Sequence, residues 1–131
     1  MGDAPHGFAL GPLESEILRL IWEGGETGVD EVHRTLAASR EIAYTTVQTV
    51  MTRLAQRGLL ERRKAGKAYL YRAAVPREEV AGSTLKEMVQ RFFGGQRLSA
   101  VSFLLGAERL SGEEVAELRR LVERLEKEEE R

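Results

Sequence analysis

The chain has 131 residues, no cysteine, 42% apolar residues and a formal charge of -1. That length suits one compact domain, or a small domain with a helical appendage. The missing cysteine excludes a disulfide framework and any thiolate metal or redox centre. The near-neutral total conceals a skew, because Arg40 to Arg72 carries eight Lys/Arg against two Asp/Glu, or +6, and leaves -7 for the rest. Such asymmetry points to a half that binds a polyanion.

The opening "MGDAPHGFALGP" has neither a basic start nor an apolar core, so no signal peptide is expected, and residues 1–9 are read as a flexible N-terminus. His6 stands where a myristoylation start would need Ser or Thr. No apolar run approaches the roughly 18 residues of a membrane span. A cytoplasmic protein without membrane insertion is therefore the default.

The first firm element is "PLESEILRLIWEGG", in which Pro12 suits a first helical position and Ile17, Leu18, Ile21 and Trp22 recur at helical spacing. "TGVDEVHRTLAAS" reads as a short helix with Val29, Val32 and Leu36 on one stripe. "REIAYTTVQTVMTRLAQRG" reads as a third helix closed by Gly58. "LLERRKA" and "AYLYRAA", separated around Gly66 and Lys67, then alternate like a two-stranded ribbon. Three helices followed by a ribbon is the order of a winged helix-turn-helix, here assigned to residues 10–74.

Beyond Pro76 the chain reads as helical, and residues 75–131 are assigned to a helical dimerisation region. Val80, Leu85, Met88, Val89 and Phe92 fall at mostly helical spacing before Gly94-Gly95. Leu98, Val101, Leu104 and Leu105 make one side of a shorter helix apolar. In the last helix Ser111 and Glu114 form a capping box, and Val115, Leu118, Leu121, Val122 and Leu125 form a stripe. The stripes look too generous for a segment of this size folded on itself, so a homodimer is expected. The fold class is thus mainly α with a small β-hairpin.

At 100° per residue, Ala43, Val47, Val50, Met51 and Leu54 share the inner side of the third helix. Thr45, Thr49, Thr52 and Gln56 lie opposite, flanked by Thr46, Gln48 and Arg53. That outer face has hydroxyls, amides and a guanidinium but no carboxylate. Such groups enter a major groove without repelling phosphate: Gln pairs with adenine, Arg with guanine or phosphate, and a Thr methyl touches a thymine methyl. The bland alternative is a solvated face, yet several weak helix formers there are a poor choice for stability. Arg62, Arg63, Lys64 and Lys67 surround the ribbon's turn, where cations hold phosphates largely irrespective of sequence. Charged edge strands also deter aggregation, and for the ribbon alone that is the better reading; the adjoining helix shifts the balance to nucleic acid.

No catalytic constellation is found. His6 and His33 stand on different elements with no metal spacing, and "AGKAYLY" lacks the glycines and Ser/Thr of a phosphate loop. No enzyme activity, metal or cofactor is expected. Two other readings remain open: a winged protein-interaction adaptor, and a regulator that senses a small molecule in a pocket lined by Phe92 and Phe93.

The chain resembles the penicillinase and methicillin-resistance repressors, the BlaI/MecI/CopY family. "LESEILRLIWEGGETGVDEVHRTL" is similar to their first two helices. "YTTVQTVMTRLAQRGLLERRKAGKAYLYRAAV" is similar to their recognition helix and wing, and "FFGGQRLSAVSFLL" with "LSGEEVAELRRLVERLEKE" to their dimerisation helices. The resemblance implies a dimeric repressor of an inverted-repeat operator in double-stranded DNA. It places Thr45, Thr46, Gln48, Thr49 and Arg53 at the DNA, with Arg63, Lys64 and Lys67 in the wing. In the penicillinase branch a membrane sensor triggers proteolysis after an Asn that precedes a Phe. The matching bond here is Ser102-Phe103, with Ser in place of Asn. The copper-responsive branch has C-terminal cysteines, which this chain lacks.

Overall fold

A computed structural model describes residues 9–130. The expected flexible stretch 1–9 therefore lies outside the described residues except for Ala9, as does His6. The elements in order are α1 (Pro12–Gly24), β1 (Thr27–Gly28), α2 (Val29–Ala37), α3 (Tyr44–Gln56), β2 (Leu60–Ala65), β3 (Ala68–Ala73), α4 (Arg77–Phe93), α5 (Arg97–Ala107) and α6 (Gly112–Glu129). The chain divides into two compact units, one ending at Glu87 and the other beginning at Met88. The sequence pattern alone places the division near Val75. Val80 joins the winged core instead, so the start of α4 belongs to the first unit.

In the first unit, α1 begins with Pro12, whose missing N–H costs nothing at a helix start. Glu14 reaches back to accept the Gly11 N–H at 2.7 Å. The inner stripes of α1, α2 and α3 bury Ile17, Leu18, Ile21, Val29, Val32, Leu36, Val47, Met51 and Leu54 in one cluster. Leu59, Leu60 and Tyr71 close it from the sheet side. The indole N–H of Trp22 donates to the Val75 carbonyl at 2.9 Å, tying α1 to the residues that precede α4.

The sheet has three strands, ordered β1-β3-β2 and antiparallel throughout, where a two-stranded ribbon had been expected. The extra strand is only Thr27 and Gly28, opposite Tyr71 and Leu70, and is too short to show any period in sequence. β2 and β3 pair from Leu60 opposite Ala73 to Ala65 opposite Ala68, leaving Gly66 and Lys67 as the turn. Gly66 has φ +66°, the conformation a glycine-first hairpin turn requires.

In the second unit, α6 carries the expected capping box: Ser111 Oγ accepts the Glu114 N–H at 3.1 Å and Glu114 accepts the Ser111 N–H at 2.9 Å. Phe93 and Phe103 lie 6.4 Å apart, ring centre to ring centre. Phe92 is 71% exposed whereas its neighbour Phe93 is half-buried, so the two rings do not line a common pocket. Among the described residues no helix is long and apolar enough to cross a membrane.

Candidate nucleic-acid interface

The surface in question is built by α3 and the β2–β3 wing. Helix α3 starts at Tyr44, four residues after the Arg40 at which the sequence pattern begins it. His33 accounts for the difference: its Nε2 donates to the Ile42 carbonyl at 2.8 Å, and its ring meets the Tyr44 ring edge-on at 5.8 Å. A partner on α2 thus holds the preceding residues extended, and Ala43 becomes the exposed N-cap rather than part of the buried stripe. The other end closes as a Schellman motif. Gly58 has φ +83°, its N–H bonds to the Ala55 carbonyl, and the Leu59 N–H bonds to the Leu54 carbonyl.

Between these fixed ends α3 turns Val47, Met51 and Leu54 inward and leaves Val50 half-buried. Thr45, Thr46, Gln48, Thr49, Arg53 and Gln56 are exposed, and Thr52 is half-buried at the edge facing the wing. The helix contains no carboxylate from end to end.

Strand register sorts the wing's cations between two faces. Arg62 lies opposite Tyr71 and Lys64 opposite Tyr69, so these four side chains share a face. Tyr71 is buried in the core, and that face is therefore the one turned toward the helices. Arg63 and Arg72 belong to the other face. Both nitrogens of Arg63's fork donate to Glu26 at 2.9 and 3.0 Å, while Arg72 donates to Glu61. Arg63 lies in the wing, as expected, but not on the face that carries Lys64. It sits on the far face with its charge matched, and Arg62 occupies the position next to α3.

Ion pairing completes the sorting. Of the eight cations from Arg40 to Arg72, Arg40 pairs with Glu16, Arg57 with Glu14, Arg63 with Glu26 and Arg72 with Glu61. Among the described residues Arg53, Lys64, Lys67 and Arg62 have no carboxylate partner. Those four belong to α3's outer face, the inner face of the wing and its tip. The unmatched positive charge of the segment, these four cations, is thereby gathered on one surface.

Hydrogen bonding from Arg63 holds the Glu26 carboxyl below the usual carboxylate range, against a smaller opposing effect of burial. A lowered folded-state value stabilises the fold above the ordinary Glu range, about pH 4.3, and that contribution is lost as pH falls through the lowered value. Near neutral pH the pair is complete and Arg63 stays matched.

A cleft of about 430 Å3 runs between helix and wing, lined by Gln48, Thr52, Arg62, Lys67, Tyr69 and Tyr71 among others. Asp30 is its single carboxylate among the described residues and comes from the α2 side. The cleft offers amide, hydroxyl and guanidinium donors over a cationic rim, the chemistry that suits phosphates and base edges.

Comparison with known proteins bears on the family and the fold. A family model described as penicillinase repressor matches residues 10–124. The transcriptional regulator BlaI of Mycobacterium tuberculosis is 35% identical over 119 residues, covering 89% of this chain and 85% of that protein. The penicillinase repressor of Bacillus licheniformis is 28% identical over 114 residues, covering 87% and 89%. Among solved structures, the DNA-binding domain of the repressor BlaI matches with a TM-score of 0.51 at 24% identity, over 60% of this chain and 93% of that one, a likeness of fold. With its winged helix and a family match across nearly the whole length, the chain belongs to the penicillinase repressor family, whose members are non-enzymatic transcriptional regulators.

Proposed function

We propose that this chain is a cytoplasmic, homodimeric repressor that binds an inverted-repeat operator in double-stranded DNA. The observation that carries the reading is the meeting of a carboxylate-free α3 face with the cations left unpaired on the wing. Thr45, Thr46, Gln48, Thr49 and Arg53 read the major groove in this scheme, and Lys64, Lys67 and the wing hold phosphates. Within the first unit the matched cations are Arg40, Arg57, Arg63 and Arg72, paired with Glu16, Glu14, Glu26 and Glu61, and none of these four is a cation that the reading places at DNA on α3 or the inner wing face.

Titration of a labelled duplex from the promoter upstream of the protein's own gene tests the proposal. Gln48→Ala and Arg53→Ala are expected to weaken that duplex by about 1–3 kcal/mol each while sparing scrambled DNA. Lys64→Ala or Lys67→Ala should weaken both duplexes alike and flatten the salt dependence by about one unit of slope. Wild-type binding no tighter than to scrambled DNA would defeat the reading. Glu26→Gln frees Arg63 on the far face, and its expected effect is tighter binding to scrambled DNA with a steeper salt slope. An unchanged slope would mean that Arg63 is too remote to meet phosphate.

Support for the homodimer comes from exposed apolar side chains. Leu85, Met88, Phe92, Leu98, Val101, Leu104, Leu105, Leu121, Val122 and Leu125 are all exposed, and Val89, Val115 and Leu118 are half-buried. Burying one such side chain fully is worth about 1.5–3 kcal/mol, and a soluble monomer rarely leaves so many uncovered. Two-fold pairing would also suit an inverted repeat, whose half-sites lie about 34–36 Å or a multiple apart.

Relief of repression is proposed to follow proteolysis at Ser102-Phe103, triggered through a membrane sensor. Phe103 is 65% exposed, but the bond lies inside α5, so the helix must open before a protease can extend the chain through its site. Exposure of the native cells to a β-lactam, followed by mass analysis of the protein, should yield a fragment beginning at Phe103; an intact chain would exclude this route.

A further inference from the structure

Arg62 is held in a way that no other wing cation shares. Its guanidinium carbon lies 4.3 Å from the centre of the Tyr69 ring, and its Nη1 donates to the Tyr71 hydroxyl at 3.4 Å. Tyr71 is 2% exposed and belongs to the core, so one jaw of this clamp is immobile. Tyr69, the other jaw, is 39% exposed and also attracts Lys64, whose Nζ lies 5.9 Å from the same ring. The clamp faces the cleft that Gln48 and Thr52 line from α3.

We propose that Arg62 is a preset contact to an operator phosphate, and that Tyr69 is the positioning residue that presets it. The proposal rests on the DNA-binding reading above and adds a residue and a mechanism to it. A guanidinium has five N–H donors in a fixed fork. One is engaged by Tyr71, and the remainder can meet two phosphate oxygens at once. A free arginine loses rotamer entropy when it meets a phosphate; the ring and hydroxyl have already imposed that loss on Arg62 in the unbound protein. Tyr69 contributes through its π face, which attracts the cation, and its own hydroxyl is not needed for this. Lys64 and Lys67, with flexible stems, supply charge without that order.

The experiment is a fluorescence anisotropy titration of the full-length protein at several salt concentrations. Its probes are the promoter duplex and a scrambled duplex of equal composition. Arg62→Ala is expected to weaken both about tenfold and to lower the salt slope by about one. Tyr69→Leu should weaken both several-fold with the slope unchanged, Tyr69→Phe should bind like wild type, and both Tyr69 variants should keep the wild-type melting temperature. The decisive arm is the double variant: Tyr69→Leu added to Arg62→Ala should cost far less than Tyr69→Leu alone, because the ring then has only the more distant Lys64 to attract, at 5.9 Å. Additive losses would mean that Tyr69 touches DNA itself, and would overturn the positioning role. Unchanged binding by Arg62→Ala, with Lys67→Ala still weakening both duplexes, would overturn the contact while leaving the DNA reading intact. Wild-type protein that binds neither duplex would remove both.

Discussion

Replacing Leu54 with alanine is expected to destabilise the first unit by about 2–5 kcal/mol, the usual cost of emptying a fully buried leucine site. Leu54 is 0% exposed, lies on α3's inner stripe, and its carbonyl receives the Leu59 N–H that ends the helix. Its neighbours Leu59 and Leu60 are equally buried, so little solvent-side slack exists to collapse into the space. A domain of this size has only about 5–15 kcal/mol in total, and the variant would sit near the edge of folding at growth temperature. Urea denaturation provides the measurement. A loss below about 1 kcal/mol would mean that α3 is rotated from the described orientation and that its threonine face is not the free one.

The second large effect concerns association. Leu98→Glu places a carboxylate where the single chain leaves the side chain 80% exposed. It should therefore leave the folding of one chain nearly untouched. If Leu98 lies in the dimer face, burying that charge opposes association strongly. The expected loss is about 2–4 kcal/mol, the range of a central interface residue, or roughly 30- to 1,000-fold in the dimer constant. Sedimentation would then report a monomer at micromolar concentration, and the operator titration would become shallow and weak. A variant that remains dimeric would place the two-fold contact elsewhere on α4 to α6.

Where local pattern decided the outcome, the sequence was legible. The spacing of Val47, Met51 and Leu54 identified α3's buried side, Gly58 marked its end, and Ser111 with Glu114 marked the start of α6. Long-range contacts decided the rest. The start of α3 depends on His33, whose grip on Ile42 no local window reveals. Strand β1 exists only because β3 offers an edge to Thr27 and Gly28. Which of Arg62 and Arg63 faces the helix is a matter of parity along β2. A two-residue turn at Gly66-Lys67 sets Ala65 opposite Ala68, and counting back would have put Arg62 across from Tyr71. That signal is local and is carried by the length of the turn alone. The Glu26 partner of Arg63 could not have been read, since it lies far away along the chain.

The hydrogen bond from Trp22 to Val75 also gives the molecule a built-in optical label. Trp22 is the sole tryptophan of the chain, and its indole is half-buried where α1 meets the approach to α4. Ultraviolet emission excited at long wavelength thus originates in the first unit, while α5 and α6 remain dark. A red shift on denaturation would track that unit by itself, and helical ellipticity would track both. Two transitions that fail to coincide would reveal how independently the halves of one chain melt.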